Sequence, residues 1–186
     1  MKIFPATIFG ICLLILVSCK EEPQTSQAAE SSVMVATTYY FIRHAEKDRS
    51  NPEDPDPELS QKGLGRAMHW AEIFNDIPLD AIYSTDYART SMTAAPAAVK
   101  QDLTVQYYDP GTMDLEAFRA ENAGKKVLVV GHSNTTPDLI NRLMGEDRYG
   151  SMDDSDNGSL FILTTMGSQS TISQLHFNCN CPERPE

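Results

Sequence analysis

An α/β domain built on a mostly parallel sheet is the fold class this chain predicts, on three observations. Strand-like and helix-like segments alternate from about Val35 onward, as they do in layered α/β domains. KKVLVVGH (Lys125–His132) is a continuous apolar run, the pattern of a strand buried on both faces. Polar residues of catalytic type follow two strands directly, Arg43–His44 after the first and His132 after the apolar run.

The elements follow in order. Thr38–Ile42, inside TTYYFIRHAEKD, reads as the first strand. PELSQKGLGRAMHWAEIFND (57–76) reads as a helix with Leu64, Ala67, Met68, Ala71 and Phe74 along one face. LDAIYS (Leu79–Ser84) is a second strand, and the helical YARTSMTAAPAAVKQ after it carries Pro96 where a kink is expected. TVQYY (Thr104–Tyr108) is a third strand and MDLEAFRAE a short helix. Beyond the apolar strand, TPDLINRLMG is a helix with Pro137 near its first turn and Gly145 as its stop. SLFILTT and STISQLHF close the chain as a hairpin about MGSQ.

Both termini stand apart from this domain, which is assigned residues 35–178. Residues 1–18 have a basic Lys2, an apolar run from Ile8 to Val17 and small Ser18 before Cys19. That is the build of a secretory signal, short for a membrane span. Its end, LVSC, is similar to a bacterial lipobox, which implies cleavage before Cys19, acylation of its sulfur and a lipid-anchored protein of the bacterial cell envelope. The anchor would face the periplasm or the cell surface. Residues 19–34 are polar and read as a tether. Residues 179–186 read as a tail in which Cys179 and Cys181, one residue apart, are too few for a structural zinc site. Loss of Lys2 with the leader takes the formal net charge from −11 to −12. So acidic a chain should avoid nucleic acid and anionic headgroups, which makes any basic cluster on it local and deliberate.

Ligands of such sheets bind at the carboxyl ends of the strands. Three separate segments deliver Arg43–His44, Arg89 and His132 to that edge. Two arginines with two histidines make an anion site, because guanidinium groups grip phosphate oxygens through paired N–H donors. Their fixed charge disfavours a metal ion among the same ligands, and no cofactor is called for. A neutral imidazole there can attack phosphorus directly, with the remaining cations stabilising the equatorial oxygens.

These residues carry a family resemblance. RHAEK resembles the Arg-His-Gly-Glu start of the histidine phosphatase superfamily, and LSQKGLGRAMHWAEIF its first helix. LDAIYSTDYARTSMTA is similar to its segment bearing the second arginine, and VLVVGHSN to the strand bearing the second histidine. The resemblance spans roughly Tyr39 to Met144 and implies a three-layer α/β/α sandwich of the phosphoglycerate mutase-like type. It implies His44 as a nucleophile that becomes phosphorylated, with Arg43, Arg89 and His132 as its phosphate-holding companions. The chain departs from the pattern at Ala45, in place of glycine, and at Asp86–Tyr87, in place of Pro-Leu.

The acid that would protonate the leaving group is to be sought in QYYDPGTMDLEAF, which offers Asp109, Asp114 and Glu116. Asp109, following a strand and preceding Pro-Gly, is favoured; Glu116 falls in the predicted helix. The 42 residues between Arg89 and His132 leave little material for a large cap. The expectation is therefore a metal-independent phosphatase acting on a phosphorylated small molecule or a phosphoprotein. A phosphate-binding module without turnover and a phosphomutase are the rivals. His69 and His176 read as structural, Glu46–Lys47 as part of a charged loop at the entrance, and DDSDNG (153–158) as a solvated turn. That turn fails the calcium-loop pattern, having Thr164 at its twelfth position.

Overall fold

The computed structural model describes residues 35–179; the expected leader, Cys19, the tether and Cys181 lie outside them. The chain order is β1 (Thr37–Arg43), α1 (Gln61–Ile73), β2 (Ala81–Thr85), α2 (Ala88–Lys100), β3 (Val105–Tyr108), α3 (Leu115–Glu121), β4 (Lys126–Gly131), α4 (Thr135–Met144), β5 (Ser159–Met166) and β6 (Gln169–His176). One six-stranded sheet results, in the order β3-β2-β4-β1-β5-β6. The first four of those strands run parallel, and the β5–β6 hairpin adds two antiparallel strands beside β1.

The period-2 alternation of side chains sorts the core into two halves. Tyr40, Ile42, Ile82, Leu128 and Val130 meet Trp70, Phe74, Ala94 and Ala97 of the α1–α2 layer. Tyr39, Phe41, Tyr83, Val127 and Val129 meet Phe118, Leu139, Ile140 and Leu143 of α3 and α4. Neighbouring residues of β1 and β4 thus serve opposite layers, which is why both strands read as unbroken apolar runs. The architecture is the expected three-layer α/β/α sandwich.

α1 differs from its sequence reading in two ways. It begins at Gln61, capped by the Ser60 hydroxyl accepting from Gly63 N–H, because Leu59 is drawn into a bridge with Lys47. Its buried face is also rotated: Gly63, Arg66, Ala67, Trp70 and Ala71 point inward, while Leu64 and Met68 are 39% and 53% exposed. The cause is local. A Cβ on Gly63 would lie 2.1 Å from the Glu46 carbonyl oxygen, so only glycine lets the helix approach the chain leaving His44. Arg66 then closes a two-pronged ion pair on Glu46 at 2.8–3.0 Å. Burial opposes ionisation of the Glu46 carboxyl, but Arg66 outweighs it and holds the group below its usual range. α2 runs through Pro96 without ending, and α4 stops at Gly145 as expected.

Candidate active site

The strand order decides where the site forms. β2, β4 and β1 are neighbours and parallel, so Thr85, His132 and His44 emerge side by side at one end of the sheet. Arg89 joins them from the first turn of α2. Together with Arg43 they line a cleft of about 390 Å³, within the range of small-ligand sites.

His44 is fixed on all sides. Its backbone N–H continues the ladder to Gly131 and its carbonyl accepts from Asn157 Nδ2 at 2.8 Å. Nδ1 lies 2.7 Å from the Ala45 carbonyl oxygen. A carbonyl only accepts, so Nδ1 carries the proton and Nε2 keeps its lone pair. Burial lowers the imidazole's pKa to about 3, helped by Arg43, His132 and Arg89 and opposed by the Ala45 bond. The ring is therefore a neutral base at pH 7.

His132 is oriented by a chain of hydroxyls. Arg89 Nη2, always a donor, faces His132 Nδ1 at 3.5 Å, which leaves the ring proton on Nε2. That nitrogen donates to Thr85 Oγ1 at 2.8 Å; Thr85 donates to Thr90 Oγ1 at 3.0 Å; Thr90 ends on backbone carbonyl oxygen. The His132 ring sits 5.5 Å from that of His44. Burial, then Arg89 and Arg43, lower its pKa to about 4. Glycine precedes it for want of space: a Cβ on Gly131 would meet Thr136 Oγ1 at 2.7 Å and the Tyr108 hydroxyl at 3.0 Å.

The two arginines are held differently. Arg43 is 2% exposed. Its Nη1 donates to the carbonyls of Asp153 and Asp154 at 2.9 and 2.8 Å, and its Nη2 to the Asp154 carboxylate at 2.6 Å. Arg89 pairs with half-exposed Asp56 at 3.2 Å and lies over the Tyr87 ring, 4.5 Å from its centroid. The Nε–H of each arginine is buried without a hydrogen-bond partner, and such orphaned donors suit a site whose acceptors arrive with the ligand.

Residues 39–110 match the histidine phosphatase superfamily (branch 1). No curated protein sequence matches the chain. Solved structures share its fold. The protein histidine phosphatase SixA complexed with tungstate has 15% identity and a TM-score of 0.59, with 75% of this chain and 96% of that one covered. Phosphoglycerate mutase from Bacillus anthracis has 17% identity and a TM-score of 0.58, over 76% and 93%. A mycobacterial glucosyl-3-phosphoglycerate phosphatase has 17% identity and a TM-score of 0.53, over 69% and 90%.

Within this fold the four expected residues Arg43, His44, Arg89 and His132 converge, and Asp109 lines the same cleft with its Oδ1 accepting from Gly111 N–H. Glu116 is exposed on α3 and is not among the cleft's residues. Lys47 lines the cleft as an entrance residue. DDSDNG is a correction: it is the clamp on Arg43, and Asp154 lines the cleft. Its contacts cross more than 100 residues of sequence, so no local pattern announces them. Tyr87, noted only as a departure, supplies the ring beneath Arg89 and meets His132 edge-on at 5.0 Å. Of the other histidines, His176 is 3.5 Å from Asp156 within the same clamp.

Proposed function

We propose that the chain is a metal-independent phosphatase that hydrolyses phosphomonoesters or phosphorylated protein side chains through a phosphohistidine on His44. The observation that carries this reading is the fixed tautomer of His44. A buried, neutral imidazole has its Nε2 lone pair free among Arg43, Arg89 and His132. In the first step Nε2 attacks phosphorus and the bond to the leaving oxygen breaks. Arg43 and Arg89 hold the oxygens on which charge spreads, and His132 orients Arg89 through its Nδ1. Asp109 serves as the acid that gives a proton to the leaving oxygen. Its carboxylate then takes a proton from water, which attacks phosphorus, and the N–P electron pair returns to Nε2 as phosphate forms. Asp154 positions Arg43 and does not serve as the acid, since its bond to Arg43 holds its carboxyl low.

A small cap favours hydrolysis over phosphoryl transfer between two hydroxyls. Between α2 and β4 the chain spends its length on β3 and the seven-residue α3. Attachment to a bacterial membrane through Cys19 belongs to the same proposal and rests on the leader and LVSC alone. The test is hydrolysis of p-nitrophenyl phosphate by the full-length protein with EDTA present, beside His44→Ala. EDTA-insensitive turnover that the variant lacks supports the reading. Turnover retained by His44→Ala overturns it.

A further inference from the structure

Tyr87 lines the main cleft with its ring 44% exposed, at a position where the resembled pattern carries leucine. We propose that Tyr87 is a positioning residue: its ring holds the Arg89 guanidinium in line for phosphate when Asp56 gives way. The proposal rests on the reading of Arg89 as a phosphate ligand and adds the residue through which that arginine keeps its aim.

Two observations carry it. The first is how little else fixes Arg89. Its Nη1 pairs with Asp56 at 3.2 Å, a partner 45% exposed and of the same charge sign as the ligand. Its Nη2 faces His132 Nδ1 at 3.5 Å, the outer limit of a hydrogen bond, and its Nε–H is buried without a hydrogen-bond partner. An arriving phosphate displaces Asp56, and the guanidinium is then held by the ring and one long contact. The ring contact uses neither Nη, for Cζ lies over the Tyr87 ring, 4.5 Å from its centroid. A cation is attracted to an aromatic face by the ring quadrupole, so Arg89 keeps that contact while its forked edge grips phosphate oxygens. The platform is itself wedged, since Tyr87 meets the His132 ring at 5.0 Å and 88°.

The second observation is the place Tyr87 takes in α2. It is the N-cap residue, and its side chain makes no capping hydrogen bond. Serine, threonine, aspartate and asparagine are preferred there, because a short side-chain oxygen accepts from an N–H of the first turn. Capping is delegated instead to Asp56, which reaches over from the loop between β1 and α1 and accepts from Ala88 N–H at 3.0 and 3.1 Å. Helix stability thus gives no reason for a tyrosine at 87, and a ring nearly half exposed adds little to the core. The contact that does account for the ring is the one with Arg89 in the same turn.

Calorimetry of the full-length protein with inorganic phosphate tests the assignment, with thermal melts alongside. Tyr87→Leu keeps apolar bulk but has no aromatic face, and should raise the phosphate Kd about threefold to tenfold, the size of a part-exposed cation–π contact. Tyr87→Phe keeps the face and should restore Kd to within about twofold of the parent. Tyr87→Ser should weaken binding as leucine does while its Tm stays at or above that of the parent, since serine is the better cap. That split separates positioning from support of the fold. Parent-like binding by Tyr87→Leu overturns the proposal, and so does a loss in Tyr87→Phe equal to that in Tyr87→Leu. A loss in Tyr87→Ser that comes with a lower Tm, or a parent that binds no phosphate, overturns it as well. The readout is binding, so it decides the role of Tyr87 whether or not esters are hydrolysed. Failure to turn over p-nitrophenyl phosphate falls on the phosphatase reading alone.

Discussion

Gly63→Ala separates what helix propensity predicts from what this fold requires. In an exposed helix interior the change stabilises by about 1 kcal/mol. Here the new Cβ would sit 2.1 Å from the Glu46 carbonyl oxygen and 3.0 and 3.1 Å from the Glu46 carbonyl carbon and backbone nitrogen. All three are backbone atoms, so no side-chain rotation relieves the clash, and reaching ordinary contact takes a movement of roughly 1.3 Å. Overpacking of this kind costs about 1–3 kcal/mol. The net effect is a destabilisation of up to about 2 kcal/mol and a fall in Tm of up to about 8 °C. Glu46 is two residues beyond His44, and Ala45 N–H is tied to Thr93 on α2. A shift at Glu46 therefore reaches His44, the proposed nucleophile, where an ångström of misplacement costs about 100-fold in rate. Thermal melts beside kcat/KM on p-nitrophenyl phosphate measure both. A raised Tm with turnover unchanged would refute the close-approach argument.

Five further outcomes are expected. The folded pKa of about 3 for His44 and about 4 for His132 means kcat/KM should not fall through pH 6.5 but only below about pH 4; a midpoint between 6 and 7 would contradict the assigned burial. By the same shifts the unfolded chain binds more protons than the native one between those values and 6.5, so stability should drop as pH falls across that window in urea melts. Asp109→Asn should slow esters with poor leaving groups by about 100-fold or more and p-nitrophenyl phosphate far less, whereas Glu116→Gln should change neither. Asp56→Asn keeps an acceptor for Ala88 N–H but removes the charge beside Arg89; phosphate inhibition should tighten about threefold to tenfold, the effect of one part-exposed charge worth roughly 1 kcal/mol. Thr85→Val removes the acceptor of His132 Nε2–H and should lower kcat/KM about tenfold, the loss of one hydrogen bond, without a matching loss of Tm.

The sheet was legible because its strands are short, apolar and regularly spaced. Their edge chemistry was legible because Arg43, His44 and His132 follow strand residues directly. α1 was misread in its face because Leu64 and Met68 are the larger apolar residues, and hydrophobicity alone places them inward. What turns the helix is a contact of Gly63 with Glu46 backbone and the Arg66–Glu46 pair, neither of which is a hydrophobic signal. The clamp on Arg43 was illegible for a different reason. Three of its four acceptors are backbone carbonyls of 153–156, and a carbonyl has no letter in the sequence. The hydroxyl chain behind His132 was missed because Thr85 and Thr90 are apart in sequence and each is an ordinary strand or helix residue when taken singly.

The contrast between the two arginines orders the site. Burying a guanidinium is costly unless its donors are met, and the 153–156 loop meets the Nη donors of Arg43, chiefly with backbone carbonyls. In the proposed reaction that makes Arg43 a fixed reference for the phosphate and for His44 beside it. Arg89 stands 14% exposed, with Asp56 as a partner that is itself 45% exposed. Its carboxylate is of the same charge type as a substrate oxygen, so phosphate and Asp56 compete for one donor. A pair of rigid and exchangeable arginines lets the ligand enter by displacing a weak anion and then be aligned by a strong, immobile cation. Were both fixed, the cleft would bind phosphate without exchange; were both loose, the attack line on Nε2 would be lost. The tightening expected for Asp56→Asn is the direct reading of that division.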